Sequence, residues 1–149
     1  MQQNRTPNPA DLAEMMHTAG VRPSVQRLAI LRNIVDKRQH PTADEIFRDL
    51  HTEYPTMSRT TVYNSLRVLT DAGLLRELEV ESGNRRYDFK PQPPHGHLRC
   101  SRCGRIFDMA LPEGLRLPVA QGFHINSVDI FFHGLCPACS HKEPYKTDK

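Results

Sequence analysis

Along the first half of the chain, apolar residues recur at helical spacing between short polar breaks. Leu12, Met15, Met16 and Ala19 share one stripe and predict a helix over 11–19, stopped by Gly20. Leu28, Leu31 and Val35 do the same for 24–36. Thr42 with Glu45 three residues later is a capping box, and it predicts a third helix burying Ile46, Phe47 and Leu50. After the breaker Pro55, Ser58 opens a fourth helix that runs to about Ala72, with Gly73 as its stop. The period then changes to that of strands. Segments 74–80 and 85–89 flank Glu81-Ser82-Gly83-Asn84, the turn chemistry of a β-hairpin. Four helices and a hairpin are the layout of a winged helix-turn-helix domain, which places the chain in the α+β class.

The fourth helix has two distinct faces. Val62, Leu66 and Leu69 form its buried stripe, while Thr60, Tyr63, Asn64 and Arg67 lie opposite, with Arg59 at the flank. That outer face carries hydroxyl, phenol, amide and guanidinium groups and no acid. Such groups donate to phosphates and base edges, and Tyr63 can also make an apolar contact to a thymine methyl. Arg85 and Arg86 sit beside the hairpin turn, where a wing meets backbone phosphates. The plainer reading is a solvated helix face. Net charge does not decide between them: it is only +3, and residues 1–90 hold 13 Lys and Arg against 12 Asp and Glu.

Beyond the hairpin, Pro91, Pro93 and Pro94 mark a boundary. The expected organisation is a DNA-binding domain over 1–90, a hinge at 91–94 and a second domain over 95–149. All four cysteines of the chain lie in that second domain, as Cys100-Ser101-Arg102-Cys103 and Cys136-Pro137-Ala138-Cys139. Two Cys-x-x-Cys pairs close a tetrahedral four-cysteine site for structural Zn²⁺. The second domain is too short to hold itself together by burial alone, and a metal staple supplies what its core lacks. Paired disulfides instead require an oxidising compartment, and residues 1–5 offer no apolar core for a signal peptide. A redox motif needs only one pair, beside a βαβ pattern that is absent. No apolar run approaches the roughly 20 residues of a membrane span. A cytoplasmic protein with no membrane partner is expected, and the polar tail after Cys139 is expected to fray.

His95 and His97 precede the first cysteine pair. On a strand, residues i and i+2 face the same side, so both imidazoles can meet one ion. The Cys100–Cys103 knuckle makes a hairpin of the flanking strands and returns Asp108 near them. Asp88 ends the wing and His40 precedes the third helix, but spacing alone does not bring either to the histidines. Together the five offer three imidazoles and two carboxylates, a set suited to Fe²⁺ or Mn²⁺, although affinity order favours zinc and the chemistry does not name the metal. His95, His97 and Asp108 alone also have the composition of the facial triad of non-haem iron enzymes, a reading that lacks any further acid–base constellation.

Several stretches resemble the ferric uptake regulator (Fur) family, from about Ala13 to Lys142. They are Gln26-Arg27-Leu28-Ala29-Ile30-Leu31, His40-Pro41-Thr42-Ala43-Asp44-Glu45-Ile46, Thr60-Thr61-Val62-Tyr63-Asn64-Ser65-Leu66, Arg86-Tyr87-Asp88-Phe89, the Cys-knuckle hairpin and Gly134-Leu135-Cys136-Pro137-Ala138-Cys139. The resemblance implies a homodimeric, metal-dependent repressor that is not an enzyme. A winged-helix domain binds a roughly palindromic double-stranded DNA operator, and a C-terminal α/β domain dimerises around the four-cysteine zinc. By position, His40, Asp88, His95, His97 and Asp108 correspond to the regulatory site, holding Fe²⁺ or Mn²⁺ between the two domains.

Glutamates are typical of iron-responsive members where this chain has Asp88 and Asp108. Aspartates at both positions resemble the peroxide-responsive PerR branch, in which Fe²⁺ and hydrogen peroxide oxidise a ligand histidine and DNA is released. The candidates by position are His40 and His95. The alternative is reversible iron or zinc sensing in the same fold. Gly114 and Pro118 interrupt the stretch where the family carries a helix, so that helix is expected to be short or distorted. Ser127 and Val128 stand where many members place a further metal-binding histidine, and no such extra site is expected. His124, His133 and His141 are left as surface or packing residues.

Overall fold

The computed structural model describes residues 6–37, 40–81, 83–90, 94–126 and 128–141. The sequence expectations for Ser82, Pro91, Pro93, Ser127 and the tail from Lys142 lie outside these residues. The chain divides into two compact units, Met1–Pro91 and Gln92–Lys149.

The first unit is the winged helix-turn-helix. Its helices are α1 (Pro9–Thr18), α2 (Val25–Lys37), α3 (Ala43–His51) and α4 (Arg59–Asp71), followed by antiparallel strands β1 (Leu75–Glu81) and β2 (Asn84–Phe89). Helix α1 starts two residues before the expected Asp11. Asn8 is its N-cap, accepting from the Asp11 amide at 2.9 Å, while the Asp11 carboxylate accepts from the Asn8 amide at 2.9 Å. Pro9 then occupies the first turn, where its missing N–H costs nothing. The capping box at α3 forms as expected, with 2.8 Å from the Thr42 amide to Glu45 and 3.3 Å from the Glu45 amide to Thr42 Oγ1. Ser58 caps α4. The inward stripes meet in one core: Leu12 and Met16 of α1, Ile30, Leu31, Ile34 and Val35 of α2, Ile46 of α3, Val62, Leu66 and Leu69 of α4, and Tyr87 and Phe89 of β2. Leu28 and Phe47, expected inside, are only partly buried: Ile30 and Ile34 take the centre of α2, and Phe47 packs at the edge of the core with Arg59 over its ring. No described helix is long and apolar enough to cross a membrane.

The second unit is a three-stranded sheet in the order β4-β3-β5, from β3 (His95–Cys100), β4 (Ile106–Ala110) and β5 (Phe131–Gly134), closed by the short helix α5 (Pro137–Ser140). Strand β3 pairs antiparallel with β4 and parallel with β5. No helix forms within 111–126, where Pro112, Gly114 and Pro118 interrupt the chain. Leu115, Leu117, Val119, Phe123 and Ile125 in this stretch, and Val128 and Phe132 after it, are exposed. The buried cluster of this unit is little more than Cys100, Cys136 and Cys139 with Phe107 and Leu135 against them.

Gly96 is what lets β5 lie so close to β3. A Cβ there meets the Phe132 ring at 2.9 Å and the Ile130 carbonyl at 3.2 Å, on the side of β3 opposite its two histidines. Gly96→Val should therefore push β5 outward and destabilise the second unit by about 1–3 kcal/mol. Chemical denaturation followed by probes in each unit checks this, and an unchanged transition for the second unit contradicts it.

Candidate metal centres and nucleic-acid face

In the second unit the two cysteine pairs converge. Cys100 ends β3, Cys103 sits in the turn to β4, and Cys136 caps α5, which carries Cys139. Each pair is wound by local bonds: Gly104, in the left-handed region at φ 72°, donates to the Cys100 carbonyl at 2.9 Å, and Ser140 donates to that of Cys136 at 2.8 Å. The pairs are lashed together by the Ser101 amide on the Gly134 carbonyl at 2.7 Å and by Arg102 on the Cys139 carbonyl at 3.1 Å. All four sulfurs lie within 4.8 Å of one another. The separation of 3.9 Å between Cys103 and Cys136 is far beyond a disulfide. It is close to the ~3.8 Å edge of a tetrahedron with Zn–S bonds of about 2.3 Å. The donor set and its spacing fit zinc.

The thiols are prepared unequally. Backbone N–H groups, first of Cys103 and then of Cys136, hold the Cys100 thiol down at about 6 despite its burial. Burial, reinforced by the neighbouring cysteine sulfurs, pushes Cys139 up to about 12. Cys100 is thus the readier of the two to give up its proton and Cys139 the more reluctant, and a bound cation displaces the protons that remain.

The same sheet carries a second donor set. Asp108 lies directly opposite His97 in the β3–β4 register, and His95 is two residues back on the same face. Asp108 Oδ1 is 3.6 Å from His95 Nε2 and 3.7 Å from His97 Nε2. His97 is fully buried against Phe131, with ring centroids 5.6 Å apart. These separations exceed a hydrogen bond and approach the spacing of ligands around one cation, as the i, i+2 pattern and the knuckle predicted.

The first unit holds a matching pair. His40 and Asp88 are both buried, with His40 Nε2 at 3.6 Å from Asp88 Oδ1. Sequence spacing gave no reason for the two to meet. Strand β2 brings Asp88 to the segment ahead of α3 through the Thr42–Arg86 bridge and the Tyr87 amide on the Pro41 carbonyl at 3.0 Å.

On the outer side of this unit, Thr60, Tyr63, Asn64 and Arg67 are exposed along α4. A groove of about 550 Å³ runs between that face and the hairpin, lined among others by Tyr63, Asn64, Arg67, Glu77, Arg85 and Tyr87. The expected absence of acids on this face holds only over its first turns, because exposed Asp71 ends α4 at helical spacing from Asn64 and Arg67. Further carboxylates enter from neighbouring elements. Arg59 pairs with Asp44 of α3 and lies over the Phe47 ring at 4.7 Å. Arg85 pairs with Glu77 at 3.3 Å. Burial, then the charge of Glu77, pushes the Tyr87 phenol up to about 12, so it stays protonated and directed at that carboxylate at 3.4 Å. Arg86 departs from the expected wing contact. Its guanidinium is turned inward, donating to the His40 carbonyl at 3.1 Å and lying 3.8 Å from Glu45.

With the sites in view, comparison with known proteins is informative. Residues 18–139 match the ferric uptake regulator family. The peroxide operon regulator of Bacillus subtilis is 39% identical over 135 residues, covering 87% of this chain and 92% of that protein. Among solved structures, the peroxide-sensing regulator PerR of Streptococcus pyogenes superposes with a TM-score of 0.52 at 28% identity, over 93% of this chain and 97% of that one. The ferric uptake regulator of Helicobacter pylori superposes with a TM-score of 0.69, over 93% and 97%; at 21% identity it speaks to the fold alone. The relatives named here are regulators, not enzymes.

Because the cysteine cluster stands in for a core, Cys136→Ser should abolish stoichiometric zinc and strip hydrogen-exchange protection from the second unit, leaving the first unit protected. Zinc analysis and amide exchange on one sample check this. Full protection of both units without zinc contradicts it.

Proposed function

We propose that this chain, which belongs to the ferric uptake regulator family, is a cytoplasmic, homodimeric, metal-dependent repressor that senses peroxide. Its first unit binds DNA, and its second dimerises and carries the four-cysteine zinc. The His40–Asp88 pair and the His95–His97–Asp108 cluster together take one Fe²⁺ or Mn²⁺ ion. That ion supplies charge to bind the carboxylates and, as Fe²⁺, the electrons that activate peroxide. A ligand spanning both units favours whichever arrangement satisfies all its donors, and so fixes how the two recognition helices of a dimer are presented to a two-fold operator.

One observation carries the peroxide assignment: the carboxylate at each half of the regulatory set is an aspartate, Asp88 and Asp108, set against imidazoles at 3.6–3.7 Å. The named peroxide regulators among the relatives support it. Oxidation of His40 or His95 adds one oxygen from hydrogen peroxide to an imidazole ring carbon, with water as the other product. The altered ring loses a donor, and the clamp opens. The cysteines stay structural.

Mass spectrometry of the iron-loaded chain after peroxide should find one added oxygen on the peptide of His40 or His95, and none when manganese replaces iron. Absence of any oxidised histidine rejects peroxide sensing in favour of reversible metal sensing. Asp108→Glu should blunt the peroxide response, whereas a reversible sensor is indifferent to it.

For DNA, Tyr63→Ala should relax base choice, while Arg85→Ala should weaken all sequences alike and flatten the salt dependence. Glu77→Gln should do the reverse of Arg85→Ala: it frees Arg85 and tightens random-sequence binding, within the ~0–1 kcal/mol of an exposed ion pair. Salt titrations of operator and random DNA separate these outcomes. Equal losses on both DNAs for Tyr63→Ala and Arg85→Ala contradict the division of labour.

A further inference from the structure

Arg86 and Asp88 are two residues apart on β2 and project from the same face of the strand. Both reach His40, at opposite ends of the residue. Asp88 faces the imidazole at 3.6 Å, and Arg86 donates to the main-chain carbonyl at 3.1 Å. His40 needs such support. It is the one non-glycine among the described residues with positive φ, at 50°, and Pro41 follows it. Both conditions are costly for a residue with a side chain.

The same guanidinium lies 3.8 Å from Glu45, whose carboxylate accepts from the Thr42 amide at 2.8 Å and so caps α3. One residue further on β2, the Tyr87 amide donates to the Pro41 carbonyl at 3.0 Å. Asp44, beside Glu45 in the first turn of α3, holds Arg59 at the start of α4. Inside the first unit, contacts therefore lead from the main chain of His40 through Arg86 to the α3 cap, and the adjoining residue of that first turn, Asp44, holds the start of α4.

We propose that Arg86 is a positioning residue for the regulatory metal: its guanidinium holds His40 in the left-handed conformation that aims the imidazole at Asp88, and ties that conformation to the cap of α3. This rests on the assignment of His40 and Asp88 as metal ligands. Arg86 is not a phosphate contact of the wing, because its side chain is only 20% exposed and its guanidinium is directed inward. One guanidinium nitrogen, Nη1, both donates to the carbonyl and lies nearest Glu45; lysine keeps the charge but replaces that planar, preorganised group with a compact ammonium on a flexible stem.

The test is a titration of the zinc-loaded full chain with Mn²⁺ and with Co²⁺, comparing wild type, Arg86→Lys and His40→Ala. Arg86→Lys should lower affinity for both ions about tenfold or more, as loss of an outer-sphere partner does. It should also alter the visible spectrum of bound Co²⁺, with zinc content and affinity for random DNA at wild-type values. A purely structural role for Arg86 moves neither the spectrum nor the affinity well below the melting temperature. Wild-type affinity and spectrum in Arg86→Lys therefore overturn the proposal. Wild-type affinity in His40→Ala overturns the ligand assignment itself and the proposal with it, so the two failures are distinguishable.

Discussion

A carboxylate taken out of water is costly unless positive charge or hydrogen-bond donors meet it, and this chain buries Asp88 together with His40. In the second unit it is the imidazole that is taken out of water: fully buried His97 faces Asp108, whose side chain stays 33% exposed. Apolar residues at these places give a better core. Imidazole nitrogens and carboxylate oxygens held 3.6–3.7 Å apart are instead a geometry that a cation between them turns from costly to favourable. Much of the surrounding backbone serves that end: a left-handed residue before a proline, a bridge from β2 to the start of α3, and a β3–β4 register that sets Asp108 opposite His97.

The second unit carries the dependence on metal further. Its buried cluster is made of cysteines, and seven large apolar side chains lie exposed between Leu115 and Phe132. The four-cysteine zinc replaces a core, and the exposed apolar stretch is chemically suited to a partner surface. The first unit needs no such help, having an apolar core fed by all four helices and β2. Structural metal and regulatory metal thus do different work. One holds a unit together, and the other, in the proposed function, biases the arrangement of units that are each already folded.

What the sequence made legible was local chemistry. The Thr42–Glu45 capping box, the Ser58 cap, the stripes of α3 and α4, the two Cys-x-x-Cys knuckles and the paired histidines of β3 are each written within a few residues, and each forms. The breaks at Gly114 and Pro118 correctly pointed to a damaged helix, although not to its absence from 111–126. What spacing could not supply was long-range side-chain choice. Arg85 and Arg86 look identical in sequence, yet strand alternation sends one out to Glu77 and the other in to His40. The face of α4 is likewise free of acids only over its first turns, since Asp71 follows Arg67 at helical spacing and Asp44 and Glu77 arrive from α3 and β1. The pairing of His40 with Asp88 became visible only through resemblance, because β2 and the segment ahead of α3 are distant in sequence: Arg86 and the carbonyl it holds lie 46 positions apart. A glance at Arg86-Tyr87-Asp88 as an alternating strand, with positions 86 and 88 on one face, is the signal that could have found the inward arginine.

The account stands on two separate donor sets closing on one cation. A crystal structure of the manganese-loaded, zinc-replete chain tests this most directly, with anomalous scattering to locate the manganese. The account predicts a single manganese position bonded to His40 and Asp88 and also to His95, His97 and Asp108. Manganese bonded to the His95–His97–Asp108 set alone, with the His40–Asp88 pair turned elsewhere and contributing no ligand, would contradict it.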